Sequence, residues 1–174
     1  MTELKRCIYI DMDGVVADFN KFSSDLLGRQ VGWGEQDLTD EEWKVLASVD
    51  NIYAKIPLIE ESTRLVAMAK SFQTRFYVEF LTAIPRRTTM PTAEQDKKDW
   101  LSKYYPGFRM NIGPYSADKH KWCKPGDILI DDKFSNILDW HAAGGVAIYH
   151  KADFDITIKH LLYAIDNDKA IMLA

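Results

Sequence analysis

The chain carries at residues 9–18 the stretch YIDMDGVVAD, in which an apolar segment ends in two acids separated by one residue and followed by glycine. The apolar residues 7–10 are typical of a buried strand. Burying a carboxylate is costly unless a cation or hydrogen-bond donors compensate its charge. Asp11 and Asp13 lie at the carboxyl end of this strand and therefore require a partner that compensates their charge.

The rest of the chain alternates between apolar runs of strand length and segments of helical period. Further strands are predicted at residues 76–81, 110–112, 128–130 and 146–149. Helices are predicted at residues 62–72, 93–104, 134–143 and 154–165. This alternation predicts a parallel sheet covered by helices on both faces, which is a three-layer α/β Rossmann-like fold.

Residues 21–55 interrupt this alternation, because they contain no clear strand. Thr39 followed by Glu42 has the spacing of a capping box and predicts the start of a helix. We therefore expect a core domain of residues 1–20 and 56–174, with residues 21–55 forming a small helical cap. Ligands of open parallel sheets bind outside the carboxyl ends of the strands, where a cap inserted after the first strand would lie.

A second apolar strand, at residues 128–130, also ends in acids, Asp131 and Asp132. If this strand neighbours the first one, their carboxylates converge at one edge of the sheet. A cluster of carboxylate oxygens suits a hard divalent cation, and ligation by oxygen alone favours Mg²⁺. The alternative is that these two acids cap the helix that follows them.

Two more polar residues suit a phosphate group. Thr82 ends the strand predicted at 76–81, and Lys119 lies in a polar loop before the Asp131 strand. Hydroxyl and ammonium groups can hold phosphate oxygens while a carboxylate attacks in line. Each residue also has a simpler interpretation: Thr82 as an ordinary hydroxyl at a strand end, Lys119 as a solvated charge no different from Lys121.

The motif at Asp11, taken alone, also matches a turn or a fragment of a calcium loop.

In order and setting, these residues resemble the four motifs of the haloacid dehalogenase superfamily. More narrowly, the chain resembles the 5′(3′)-deoxyribonucleotidase family over most of its length. The matching segments are DMDGVVAD at residues 11–18, Thr82, KKDWLSKYYPG at 97–107, ADK at 117–119 and LIDDK at 129–133.

The resemblance implies a role for each acid. Asp11 would be the nucleophile that forms an aspartyl-phosphate, and also a Mg²⁺ ligand. Asp13 would give its backbone carbonyl to the metal, while its side chain acts as general acid and then as general base. Asp132 would be the direct ligand from the last motif, with Asp131 supporting it.

The resemblance also implies how the substrate is held. Thr82 and Lys119 would bind the phosphate, and Phe19 would line the substrate pocket. The chain departs from the family in two places: Ala83 stands where the mammalian enzymes have serine, and the insertion is shorter than theirs. Both departures concern substrate preference rather than the chemistry.

The expected activity is Mg²⁺-dependent hydrolysis of a 5′-nucleoside monophosphate, in particular a deoxyribonucleotide. Trp33, Trp43 and Tyr53 of the insertion offer flat faces on which one of them could stack a base. The alternative is that a small insertion needs aromatic residues for its own core. Competing functions are a phosphatase for another small phosphate ester, a receiver-like domain phosphorylated on Asp11 without turnover, and a binding module without catalysis.

Composition narrows the function class further. The chain has a net charge of −4 and no basic stripe of the kind that nucleic-acid-binding proteins carry. No nucleic-acid partner is therefore expected. The two cysteines have no metal-ligand spacing, and the chain has no signal peptide or membrane-spanning run. These features predict a cytoplasmic protein acting on a small molecule. They leave the oligomeric state open, with a homodimer among the options.

Overall fold

The computed structural model describes residues 5–32, 38–85, 89–113, 115–167 and the backbone of 171–172. Its strands are β1 Arg6–Ile10, β2 Phe76–Ala83, β3 Met110–Gly113, β4 Ile128–Asp131, β5 Val146–Tyr149 and β6 Ile171–Met172. All of them pair in parallel in one sheet, in the order β3-β2-β1-β4-β5-β6. The predicted strands are confirmed, and β6 is an additional edge strand that the sequence pattern did not indicate.

The helices are α1 Phe19–Leu27, α2 Asp40–Ala47, α3 Ile52–Lys55, α4 Ser62–Ser71, α5 Ala93–Tyr104, α6 Phe134–Ala142 and α7 Phe154–Asn167. The helices predicted outside the insertion are confirmed to within two residues at each end. The segment expected to be a polar loop around Lys119 instead forms a 3₁₀ helix, Ser116–Trp122. None of the helices in the described ranges combines the length and the apolar character of a membrane-spanning segment.

Two hydrophobic clusters cover the two faces of the sheet, because successive strand residues point to opposite sides. Ile8 and Ile10 of β1 belong to the larger cluster, which includes buried residues of α4, α5 and α7. Cys7 and Tyr9 belong to the smaller cluster, which includes Trp140 of α6. The structure is therefore the three-layer α/β fold with a parallel sheet that the sequence predicts.

The segment predicted as a cap contains α2, α3 and most of α1. The side chain of Asp18 caps α1 by accepting from the backbone N–H of Lys21 at 3.0 Å. The capping box of Thr39 and Glu42 is present at the start of α2, as predicted. The proposed boundary at residue 20 falls inside the first turn of α1, and the division into core and cap stays a prediction.

The register of the central strands brings three chain segments to one edge of the sheet. Ile10 of β1 is paired with Phe80 of β2 on one side and with Ile130 of β4 on the other. Each of these strands ends within three residues of that level, so Asp11, Thr82 and Asp131 leave the sheet at the same edge.

Candidate active site

Asp11 lies directly after β1, and its side chain is buried. Its backbone N–H donates to the carbonyl of Ile130 at 3.0 Å, so the pairing with β4 extends to this residue. Its Oδ1 atom accepts from the backbone N–H of Met12 at 2.7 Å and lies 2.7 Å from the Nζ atom of Lys119. Within the described ranges Oδ2 has no hydrogen-bond partner, which makes it the oxygen available to a ligand.

Asp131, the last residue of β4, has both carboxylate oxygens engaged. Lys119 donates to Oδ2 at 2.7 Å, and the backbone N–H of Lys133 donates to Oδ1 at 2.8 Å. The side-chain amide of Asn136 lies 3.0 Å from each oxygen. Asp131 therefore orients Lys119, and its own oxygens are already occupied.

Asp132 is also buried, but among the described residues its carboxylate accepts no hydrogen bond. It lies against the loop after β1, where a Cβ atom on Gly14 would come within 2.0 Å of its Oδ2 atom. Gly14 also has a φ of +77°, which side chains rarely adopt. Glycine at this position therefore allows the loop and the carboxylate to approach closely.

Asp11, Asp131 and Asp132 form a group whose ligand atoms lie within 4.8 Å of one another. Burial raises the pKa of Asp11 to about 7, an effect that Lys119 opposes and Asp131 strengthens. Burial, followed by the charges of Asp131 and Asp11, raises the pKa of Asp132 well above its ordinary value. Crowded carboxylates of this kind favour a bound cation, and a donor set made only of oxygen fits Mg²⁺.

A second buried lysine, Lys97 of α5, also reaches the acids. Its Nζ atom lies 2.5 Å from Oδ2 of Asp13 and 2.8 Å from Oγ1 of Thr82. It also lies 4.6 Å from the ring centroid of Tyr53. The sequence analysis assigned no role to Lys97. A signal was present, because Lys97 falls on the apolar stripe of α5 with Ala93 and Trp100.

The carboxylates of the site outnumber its buried ammonium groups. The site holds four carboxylates, and two buried ammonium groups contact three of them. With all four ionised, two negative charges would remain, which one divalent cation could offset; without a cation, the raised pKa values of Asp11 and Asp132 favour protonation instead. The carboxylates are those of Asp11, Asp13, Asp131 and Asp132, and the ammonium groups are those of Lys97 and Lys119.

A cavity of about 360 Å³ opens beside these acids. Asp11, Asp13, Asp132 and Lys119 line it from the core, and Trp43 and Tyr53 line it from the segment predicted as a cap. Two of the three candidate stacking residues thus adjoin the acidic group. Trp33, the third candidate, lies outside the described residues.

Thr82 and Phe19 do not reach the wall of this cavity. Thr82 is fully buried behind it, where its hydroxyl accepts from Lys97. The ring of Phe19 is buried, with its centroid 6.1 Å from those of both Trp43 and Tyr53. Phe19 therefore supports the two aromatic residues that line the cavity.

The choice between the two lysines of the 3₁₀ helix agrees with the geometry. Lys119 is buried against Asp11 and Asp131, whereas Lys121 is exposed and pairs with Asp118 at 2.6 Å. The 3₁₀ helix is also tied to α6, since the hydroxyl of Ser116 donates to Asn136 at 3.0 Å.

Comparison of the sequence with protein-family models and with curated proteins finds no match. A function for this site therefore has to follow from the side chains that it brings together. A carboxylate with a free oxygen, a second carboxylate nearby, a group of acids that could hold a cation and two ammonium groups are parts that phosphoryl transfer uses.

Proposed function

We propose that this chain is a Mg²⁺-dependent phosphomonoesterase that works through an aspartyl-phosphate on Asp11. One observation carries the proposal: Asp11 and Asp13 line the same cavity as Asp132, at the edge where β1 and β4 end side by side. The resemblance of the four motifs to the haloacid dehalogenase superfamily supports the same chemistry.

In the first step, Oδ2 of Asp11 forms a bond to the phosphorus atom while the ester P–O bond breaks. The leaving oxygen takes a proton from the carboxyl group of Asp13, so the alcohol departs neutral. The phosphoryl group stays on Asp11 as an acyl phosphate.

In the second step, a water molecule gives a proton to Asp13, and its oxygen forms a bond to phosphorus. The bond between phosphorus and the Asp11 oxygen breaks, which releases inorganic phosphate and restores the carboxylate. Asp13 thus regains the proton that it gave in the first step, and the cycle closes without another reactant.

Asp11 and Asp132 would hold Mg²⁺ together with the backbone carbonyl of Asp13. Asp131 would support them, because its oxygens already hold Lys119 and Asn136. When bound, Mg²⁺ offsets the negative charge that the acids and the phosphate bring together. Lys119 adds a positive charge on the same side of the cavity.

Trp43 and Tyr53 support a nucleoside monophosphate as the substrate. Both line the cavity that holds Asp11 and Asp13, so a base could stack there while its phosphate meets the acids. The preference for a deoxyribonucleotide rests on the family resemblance alone. Both cysteines are free thiols, which agrees with a cytoplasmic location as part of this proposal.

The test is phosphate release by the purified full chain from a panel of monophosphates. The panel holds ribo- and deoxyribonucleoside 5′- and 3′-monophosphates, sugar phosphates and p-nitrophenyl phosphate. Turnover is expected with Mg²⁺ and is expected to stop in EDTA. Ca²⁺ should support it poorly, because the larger ion accepts more ligands and disturbs the in-line attack.

Different outcomes separate the alternatives. Equal turnover of nucleotides with different bases and of esters without a base would favour another small phosphate ester as the substrate. A stable phospho-form without phosphate release would favour the receiver-like alternative. Full activity after exhaustive dialysis against EDTA would contradict the proposed chemistry.

A further inference from the structure

Lys97 is a buried cation on the buried face of α5, which carries apolar side chains and the carboxylate of Asp96 as well. Its side chain is about 1% exposed, and burying an ammonium group is costly unless strong acceptors surround it. Its Nζ atom has two oxygen acceptors, one on Asp13 and one on Thr82. The face of the Tyr53 ring covers a third side, and such a face also attracts a cation.

The chemistry of the donors and acceptors determines the role of each atom. An ammonium group only donates hydrogen bonds, so Thr82 must accept from Lys97 with its hydroxyl oxygen. The hydroxyl hydrogen is then directed elsewhere, and the carbonyl of Ala83 is a weak acceptor for it at 3.3 Å. In Asp13, Oδ2 is occupied by Lys97, whereas Oδ1 has no hydrogen-bond partner among the described residues.

The helix that carries Lys97 is anchored by hydrogen bonds of residues on both sides of it. Asp96, its neighbour in α5, is fully buried and accepts from Thr92 at 3.1 Å and from Asn51 at 3.2 Å. Trp100, one turn further along, donates to the carbonyl of Ile56 at 2.7 Å. These contacts tie α5 to the chain around α3, which carries Tyr53. These contacts place the backbone of Lys97 where its side chain meets Asp13.

We propose that Lys97 is a positioning residue for the reaction: it fixes Asp13 through Oδ2 and so keeps Oδ1 aimed at the leaving oxygen of the substrate. This inference rests on the proposed phosphatase function. Lys97 does not line the cavity, so it would act through the orientation of Asp13 and of the Thr82 hydroxyl.

A purely structural ion pair would have the same contacts but a different kinetic signature. Protonation of the leaving group matters greatly for a poor leaving group, such as an alcohol, and little for p-nitrophenolate. A lysine that orients the proton donor should therefore matter most for the poor leaving groups. A lysine that only stabilises the fold should affect all substrates alike.

The experiment measures kcat/KM for p-nitrophenyl phosphate, phenyl phosphate and a nucleoside 5′-monophosphate, since kcat/KM includes the step in which the ester bond breaks. The variants are Lys97→Met, Asp13→Asn, their combination, and Lys98→Met as the matched control. Lys98 is the next residue of α5, and it is exposed and paired with Glu94. Circular dichroism and thermal unfolding verify the fold of each protein.

Lys97→Met is expected to lower kcat/KM for phenyl phosphate and the nucleotide by about 10- to 100-fold, the usual scale for removing a group that orients a catalytic residue. The loss for p-nitrophenyl phosphate should be much smaller, and Lys98→Met should match the wild type. In the Asp13→Asn background, Lys97→Met should not change the ratio between substrates any further, because the two residues act as a unit.

Suppose that a folded Lys97→Met variant keeps the wild-type ratio of kcat/KM between phenyl phosphate and p-nitrophenyl phosphate. This result would overturn the inference and leave the proposed function intact. No turnover by the wild type on any ester would overturn both. If Lys97→Met does not fold, Lys97→Gln replaces it, since its neutral amide is shorter and cannot reach both oxygens. The same change of ratio is expected for it, and an unchanged ratio again contradicts the inference.

Discussion

Both ends of β4 carry buried carboxylates, but their surroundings differ. Just before the strand, Asp127 accepts from the backbone N–H groups of Cys7 at 2.7 Å and of Lys124 at 3.0 Å. Just after it, Asp132 accepts no hydrogen bond in the part of the chain that the structure describes, and it faces a cavity. Burial alone therefore does not identify a functional acid.

The difference lies in what compensates the charge. Backbone amides hold Asp127 within the fold, so this carboxylate joins the loop before β4 to β1. At the other end, the side chains of Lys119 and Asn136 and the backbone N–H of Lys133 all donate to Asp131, and no donor among the described residues reaches Asp132. We expect substitutions at the amino end of the sheet to affect folding, and substitutions at the carboxyl end to affect activity.

The largest effect is expected for Asp11→Asn. This change removes the attacking charge and one cation ligand, so phosphate release should fall by on the order of 10⁴-fold or more. The metal-free protein should keep its melting temperature or gain stability, because the clustered carboxylates repel one another. Substantial turnover by this variant would contradict the assignment of Asp11 as the nucleophile.

Asp132→Asn and Asp127→Asn test the two ends of β4 directly. Loss of Asp132 should raise the Mg²⁺ concentration needed for half-maximal activity by about 10- to 100-fold. The free energy of unfolding of this variant should stay as it is in the wild type. Loss of Asp127 should leave that concentration unchanged and lower the free energy of unfolding by about 1–3 kcal/mol. A Mg²⁺ titration and a urea titration on both variants give the four values.

The reverse result would be informative. If Asp127→Asn changes the Mg²⁺ requirement while Asp132→Asn does not, the contrast between the two ends of β4 is wrong.

Trp43→Ala tests whether the aromatic wall of the cavity recognises a base. The loss of one stacking partner typically costs about 1–3 kcal/mol, so turnover of a nucleotide at low concentration should fall accordingly. Turnover of p-nitrophenyl phosphate should change far less. Tyr53→Ala is a poorer test, because Tyr53 also contacts Lys97.

Tyr77→Ala is the matched control, since this aromatic residue of β2 is exposed, lies against Lys5 and does not line the cavity. Equal losses for both substrates in Trp43→Ala would indicate that Trp43 only packs the helices around it. No loss for either substrate would favour a substrate other than a nucleotide.

The smallest effect is expected at His150, a buried polar residue near the carboxyl end of the sheet. It follows β5 directly, and its Nδ1 atom lies 2.8 Å from the hydroxyl of Thr157. Burial lowers the pKa of His150 from 6.5 to about 4. Below about pH 6.5 the unfolded chain takes up a proton that the folded chain does not, so stability falls as the pH drops from about 6.5 to about 4.

His150→Asn should reduce the difference between the melting temperatures at pH 7 and pH 5 by a few degrees. His141→Asn, an exposed position of α6, should leave the difference as it is in the wild type. Thermal unfolding at the two pH values is the measurement, and an unchanged difference in His150→Asn would show that this histidine does not set the acid sensitivity.

The sequence pattern was sufficient for five of the strands, for their parallel pairing and for the acids that follow two of them, but not for the order of the strands. Short apolar runs alternating with helical periods predict parallel strands, and parallel strands bring their carboxyl ends to the same edge. Asp11 and Asp131 each follow such a run directly. Their convergence required only that β1 and β4 be neighbours, which the structure confirms.

Contacts that depend on helix packing could not be predicted from the sequence. Lys97 and Asp13 are 84 positions apart, and they meet only because α5 packs with a particular rotation beside the end of β1. The burial of Thr82 and Phe19 behind the cavity wall is of the same kind. The residue type determines which hydrogen bonds and ion pairs a side chain can form, but it does not determine which partners lie beside that side chain in the fold.

The sequence by itself therefore determined the fold class, the acid-tipped strands and the chemistry available to their side chains, because these follow from local periodicity and residue type. The tertiary structure alone decided how the acids differ. Asp131 is occupied by Lys119 and Asn136, while Asp132 accepts no hydrogen bond within the described ranges. Asp131 and Asp132 are neighbours in the chain, and the sequence does not distinguish them. Lys119 belongs to a different element, so only the folded structure decides that it donates to Asp131.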